Sequence, residues 1–446
     1  MAPIAADASP EKRLFISLLT RDIALTDAFL DLIDNSVNSV LAKFAAQLKS
    51  AADYRNLLAK APKKSLPKIS LTLSDKDVCV ADNSSGIHWV SAKDHVFKFG
   101  RVIGERDKND RLSVYGVGLK RAIFKMGNKI EMVSNHAQGG FRLSLNVSKW
   151  EKSKEPRWTI PIDQLPSVES TKTGTSIKIT ELYPDVLHRM KDGLFISELK
   201  AKIRRTYTFF IGRLLDIELN GEILQSYNLE IGENTATDEF DEGGVTCSIS
   251  AGIGQPDARG NFVTENAGWS IFCNGRTLVY ADKSELTGWT GTPQLPLFQP
   301  KHRPFMGMVF FVSQDPEALP WTTTKAAINL ESGVWQEARR RMIAVGKEVT
   351  SVLDKRYSND GTELTKEDVR ALSGKPVPAL SITGTSTRRF ALPKKAPPTT
   401  MRIQYDADIA QVEHITEFLR KPNMSGSEVG RHTFNYFLRN RAGYDE

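Results

Sequence analysis

The stretch DAFLDLIDNSVNSV, Asp27 to Val40, is apolar enough for a core helix, yet it holds Asp27, Asp31, Asp34, Asn35 and Asn38. At about 100° per residue, Asp31, Asp34, Asn35 and Asn38 fall on one stripe and Phe29, Ile33, Val37 and Val40 on the opposite one. A polar stripe that dense is either wet surface or a site. Asp and Asn favour caps and turns over helix interiors, so a merely solvated face would lose stability with nothing gained.

Outward from this helix, periodicity of the same kind runs over residues 11 to 60 until Pro62 and Pro67 break it. Alternating patterns follow. KISLTLSDKDVCVAD (68–82) reads as a hairpin turning near Asp75 to Asp77, and NKIEMVSNH and GGFRLSLNVSKW read as further strands. Between them FGRVIGERDKNDRLSVYGVGLKRAIFKMG is a charged, glycine-bounded loop running into a helix. TGTSIKITEL is one more strand, and the helical ISELKAKIRRTYTFFIGR opens a second αβ region containing DIELNG, GWSIFCNGRTLVY and MGMVFFVSQ. These patterns predict an α+β fold with a boundary near residue 185. From Arg356 to about Thr400 the composition shifts to Ser, Thr, Pro and Lys, and STRRFALPKKAPPTT carries Arg388, Arg389, Lys394 and Lys395 without an acid, which reads as a basic, flexible linker. The tail after it reads as one short strand and two helices, the second opened by a capping signal at Ser425 to Glu428.

Two glycine-containing strings bear on the polar stripe. DNSSGI, Asp82 to Ile87, follows a strand, so Asp82 stands at a strand end and the chain turns at Gly86. An Asp in that place is either an Asx-turn or a ligand. YGVGLK, Tyr115 to Lys120, enters a helix, where unhindered backbone N–H groups and the helix dipole favour a phosphate and Lys120 adds positive charge.

Taken in order, acid-x-x-x-Asn on a helix, Asp-x-x-x-Gly after a strand, Gly-x-Gly-x-Lys before a helix and Gly-Thr at a strand resemble the four motifs of the GHKL superfamily. That superfamily includes DNA gyrases, heat-shock ATPase chaperones, histidine kinases, MutL mismatch-repair proteins and Microrchidia (MORC) ATPases. DLIDNSVNS and YGVGLKRA are most similar to the prokaryotic MORC-like group. The resemblance covers residues 11 to 350 and is specific over residues 1 to 180. It implies a Bergerat-type α/β sandwich ATP-binding domain over residues 11–185, then a ribosomal-protein-S5-like αβ transducer domain over 186–355. The linker would span 356–400 and a small strand-helix-helix element 401–446.

By the same resemblance the cofactors are ATP and Mg²⁺. Asn35 would hold the metal, and Asp31, one turn earlier, would orient and deprotonate the attacking water. An oxygen ligand for a hard cation and a carboxylate base are then set on adjacent turns facing one pocket. Asp82 would accept the adenine amino group, with Gly86 allowing the base to approach and Thr175 nearby through a water. Gly116, Val117, Gly118 and Lys120 would hold the phosphates, and residues 100 to 119 would form a lid over them. Lys325, in LPWTTTKAAINLES, would reach the γ-phosphate from the second domain, unless it is an ordinary surface lysine after a Thr run. Two positions depart from the family pattern: Asp31 stands where most relatives carry Glu, one methylene longer, and Ser84 stands where a glycine is usual. Slow hydrolysis or a binding-only switch follows from the first.

The totals set the function classes. The net charge of +7 among 446 residues suits a polyanionic partner such as DNA without requiring one. The N-terminus lacks a signal-peptide pattern and no apolar run has the ~20 residues that span a bilayer, so a cytoplasmic, non-membrane protein is expected. Cys79, Cys247 and Cys273 lie far apart in apolar surroundings, so neither a disulfide framework nor a zinc site is implied. Two functions fit. One is an ATPase whose ATP-gated homodimer associates with DNA in the MORC or MutL manner, in repair, restriction or phage defence. The other is a chaperone-like remodelling or switch ATPase acting on a protein effector. MRIQYDAD and the two helices after it resemble a ribbon-helix-helix DNA reader, with Arg402 and Gln404 on one strand face and Met401 and Ile403 on the other, or else form a helical cap or dimerisation element.

Overall fold

A computed structural model describes residues 11–59, 65–100, 110–113, 116–153, 158–227, 229–355, 365–382, 388–390 and 403–444. The chain divides into two units, Met1–Leu392 and Pro393–Glu446. Most of the expected lid, including Tyr115, lies outside the described residues, as do Lys394, Lys395, Met401 and Arg402.

The N-terminal periodicity resolves into α1 (Lys12–Arg21), α2 (Leu25–Ala42) and α3 (Ala51–Leu58). Ser50 and Asp53 cap α3 reciprocally, which satisfies two otherwise orphaned donors at its start. In α2, Phe29, Ile33 and Val37 are fully buried, worth about 1.5–3 kcal/mol apiece. Asp31, Asp34 and Ser36 are buried as well, and Asn35 is exposed. The polar stripe is therefore not one surface.

Strands β1 (Lys68–Leu73) and β2 (Asp77–Asp82) form the expected hairpin, with Leu71 opposite Val80. After the short α4 (Trp89–Ser91) and α5 (Gly118–Met126) come β3 (Gly127–Asn135), β4 (Phe141–Asn146), α6 (Val147–Lys152), β5 (Asp163–Gln164) and β6 (Gly174–Leu182). Helices α7 (Pro184–Met190) and α8 (Gly193–Thr206) lead to β7 (Asp216–Leu219) and β8 (Glu222–Ile223). All eight strands form one sheet in the order β5-β4-β3-β6-β2-β1-β7-β8, on which α2 and α5 pack. β7 pairs parallel to β1 and so extends this sheet past the boundary read near residue 185. A parallel neighbour needs a long crossover, and a break in local pattern does not reveal it.

The second sheet runs β12-β11-β13-β10-β9-β14. It comprises β9 (Glu230–Glu242), β10 (Val245–Gly254), β11 (Gly268–Cys273), β12 (Arg276–Asp282), β13 (Phe305–Ser313) and β14 (Pro376–Pro378). Every residue of β13 is buried, which explains its unbroken apolar run: helices α3 and α9 (Gly333–Asp354) both contact it. Part of the stretch expected to be linker is ordered here. Helix α10 (Lys366–Ser373) buries Val369 and Leu372, and β14 pairs with β9 through Val377 and Ile231. The Ser/Thr/Pro composition concealed the capping box at Thr365 and Asp368 that starts α10. The whole is a mixed α+β protein with two mixed sheets, in keeping with an α/β sandwich followed by a further αβ region.

The second unit holds α11 (Ile409–Phe418) and α12 (Gly426–Asn440), the latter capped by Ser425 and Glu428 as expected. Residues 403–408 form no strand. A lone ribbon has no ladder partner within the chain. Among the described residues no helix is long and apolar enough to cross a membrane.

Candidate functional site

One cavity of about 1070 Å³ opens between α2 and the ends of β2 and β6. Asp82, Gly86 and Thr175 line it where β2 and β6 meet, and Asn35, Asn38 and Gly116 line it along α2 and just before α5. Sheet register assembles the first group. Asp82 stands opposite Thr175, and Thr175 opposite Ser134 on the next strand. Ser36 Oγ donates to Asp82 Oδ2 at 2.7 Å, while Oδ1 accepts from the Ser84 backbone N–H at 2.9 Å and from the Ser84 hydroxyl. The carboxylate is thus held from two sides before anything else meets it. Ser84, the departure from the glycine pattern, turns its side chain onto Asp82 and is buried. Gly86 has φ +67°, and a Cβ there would stand 1.9 Å from the Asn135 carbonyl oxygen. Only glycine fits that turn. Thr175 Oγ1 shares a 2.8 Å hydrogen bond with Ser134 Oγ, which also accepts the Ile87 N–H.

Along α2, Asn35 Nδ2 donates to the Asp31 carbonyl at 2.8 Å. This fixes the amide by its donor side, so its oxygen is the atom suited to a cation. Gly116, at φ +63°, and Val117 lead into α5, whose first residue is Gly118. Its first-turn N–H groups are the kind of donors that bind anions. Asn38 does something the sequence did not suggest. Its Nδ2 donates to Asp110 Oδ1 at 2.5 Å and its Oδ1 accepts the N–H groups of Arg111 and Leu112, so α2 anchors the chain at residues 110–112.

Three expected site residues are turned elsewhere. Lys120 is buried and its ammonium donates to the carbonyls of Val96 and Lys98 at 2.7 and 2.6 Å, so it ties α5 to that segment and does not line the cavity. Asp31 does not line the cavity either: Arg121 Nε and Nη2 grip its two oxygens at 2.5 and 2.8 Å. Lys325, far from being a surface lysine, donates to Asp34 Oδ2 at 2.6 Å in the interior. Arg276 Nε at 3.0 Å and the Tyr207 hydroxyl at 2.7 Å both donate to Asp34 Oδ1.

In α2 Asp31 and Asp34 are therefore engaged by buried cations, while Asn35 and Asn38 line the cavity. Burial pushes the Asp34 carboxyl up, but the charges of Arg276 and Lys325 and the hydrogen bonds from Lys325 and Tyr207 outweigh it and hold it at about 2. Burial, and then the Asp34 charge, push the Tyr207 phenol well above its ordinary range. Ser36 and Arg121 lay within motifs already singled out and were missed. Tyr207 and Arg276 carried no local signal.

Residues 23–175 match the family model described as histidine kinase-, DNA gyrase B- and HSP90-like ATPase. No curated protein matches the chain. The matched region spans α2, β1 to β4, α5 and the start of β6, and so contains both groups of cavity-lining residues. The likeness supports a GHKL-type ATPase region and, with it, ATP binding.

Proposed function

We propose that this chain binds ATP with Mg²⁺ in the cavity over β2 and β6, hydrolyses it slowly, and uses the nucleotide to gate dimerisation of a DNA-associated, MORC- or MutL-like protein. The observation that carries the reading is one cavity that brings together an oriented acceptor, an anion-suited helix start and a cation-suited amide. Among the described residues Asp82 Oδ2 accepts only the Ser36 hydroxyl, and it has capacity for a second donor, the role an exocyclic adenine amino group fills. Gly86 and Thr175 border that position. Gly116, Val117 and Gly118 hold the phosphates by backbone N–H groups. Asn35 fits the metal through its amide oxygen; when bound, Mg²⁺ supplies charge neutralisation on the phosphates. Asp31 is the carboxylate nearest the start of α5, since a Cβ on Gly118 would lie 3.3 Å from its Oδ1, and it takes the role of base. Lys325 acts from the second αβ region, through Asp34.

Titration of a fluorescent ATP analogue tests the reading. Asp82→Ala loses about 10- to 100-fold in affinity, the range set by one hydrogen bond to a charged acceptor. Equal affinity in Asp82→Ala and the parent refutes the assignment. A protein-partner switch is the second reading, favoured by the exposed apolar side chains of α11 and α12, among them Phe418 at 82% and Phe437 at 58%.

A further inference from the structure

Asp31 and Arg121 form a bidentate pair in which both side chains are almost wholly buried, 2% and 5% exposed. The pair sits against the first residue of α5, where Gly118 leaves only 3.3 Å between its Cβ position and Asp31 Oδ1. The carboxylate is thus next to the helix start that holds the phosphates but aimed away from the cavity. Arg121 also reaches the loop that carries Lys325, with Nη1 3.4 Å from the Thr323 carbonyl oxygen. In that loop Lys325 holds a left-handed backbone at φ +52° and binds Asp34, while Arg276 binds both Asp34 and the Lys325 carbonyl.

We propose that Arg121 is a positioning residue that restrains hydrolysis by clamping Asp31, and that the Thr322–Lys325 loop governs the clamp. This rests on the ATP-site reading above. In hydrolysis a water oxygen bonds to the γ-phosphorus, the bond from that phosphorus to the β–γ bridging oxygen breaks, ADP leaves with the electron pair, and the water's proton passes to Asp31. A carboxylate with both oxygens engaged by one guanidinium has its charge and lone pairs committed to that cation. Asp is also one methylene shorter than Glu, so its oxygens cannot reach past the clamp to the cavity. Turnover therefore requires Asp31 to leave Arg121. Movement of the Thr322–Lys325 loop is the available lever, because the Thr323 carbonyl holds Nη1 of the same guanidinium whose Nε and Nη2 hold Asp31, so a shift of the loop pulls on the clamp.

Arg121→Gln keeps a donor for Asp31 and removes the charge and the second grip. We expect kcat for ATP to rise about tenfold with KM and analogue affinity within about twofold of the parent, the signature of a change confined to the chemical step. Arg121→Lys, charged but unable to form the fork, should rise less. Asp31→Asn and the Asp31→Asn/Arg121→Gln double variant should both be inactive while still binding nucleotide. Unchanged or lowered kcat in a folded, nucleotide-binding Arg121→Gln overturns the clamp. If that variant does not fold, the same outcome in Arg121→Lys overturns it. Turnover retained in Asp31→Asn also overturns it, because the restrained group would not be the base. Failure of the underlying reading looks different: Asp82→Ala then binds nucleotide as the parent does.

Discussion

Asp34 ties together distant parts of the first unit, since three donors from Tyr207, Arg276 and Lys325 meet on its two oxygens. Asp34→Asn leaves the Arg276 and Lys325 cations buried against a neutral amide, and removing one member of a buried ion cluster costs about 3–5 kcal/mol. Urea unfolding at neutral pH measures that loss directly. The pH dependence has a definite sign. The folded carboxyl sits at about 2, below its ordinary 3.8, so its contribution is complete above the ordinary value and lost as pH falls toward 2. The gap between parent and variant should therefore narrow below pH 4. A gap that is constant from pH 6 to pH 3 contradicts the role given to the cluster.

At the scale of elements, α5 is held at both ends of its charge pattern. Lys120 points one way to the carbonyls of Val96 and Lys98, and Arg121, about 100° further round, points the other way to Asp31. Both cations of this turn are thus engaged by protein groups, and neither lines the cavity. Lys120→Gln is expected to lower the melting temperature, because a buried cation with two carbonyl partners contributes about 1.5–3 kcal/mol per bond, while analogue affinity stays within about threefold. A loss of affinity greater than the loss of stability would return Lys120 to the phosphates.

For the whole molecule, α2 lies between the cavity, which its Asn35 and Asn38 line, and the second αβ region, whose Arg276 and Lys325 its Asp34 meets. Light scattering with a non-hydrolysable ATP analogue should show a dimer where the nucleotide-free chain is a monomer, and an unchanged monomer counts against ATP-gated association. DNA affinity should fall steeply with added salt if the net charge of +7 is used on phosphates. Absence of binding at low salt favours the protein-partner reading, with α11 and α12 as the place to look.

Much of the fold was legible because it is local. Period 3.6 marks α2, period 2 and a turn mark the β1–β2 hairpin, and Gly86 and Gly116 sit where positive φ is required. The stripe on DAFLDLIDNSVNSV was legible as too polar for its setting. The sequence by itself determined the elements with local periodicity, from α2 through the β1–β2 hairpin to α12, together with the cavity-lining Asn35 and Asp82 and the positive-φ turns at Gly86 and Gly116. Which way each charge points was decided by the tertiary structure alone. Asp31 meets a residue 90 positions away, and Asp34 meets residues 242 and 291 positions away. A buried carboxylate turns to whichever cations the fold brings within hydrogen-bonding distance, and no periodicity within a single helix encodes partners that arrive from another sheet.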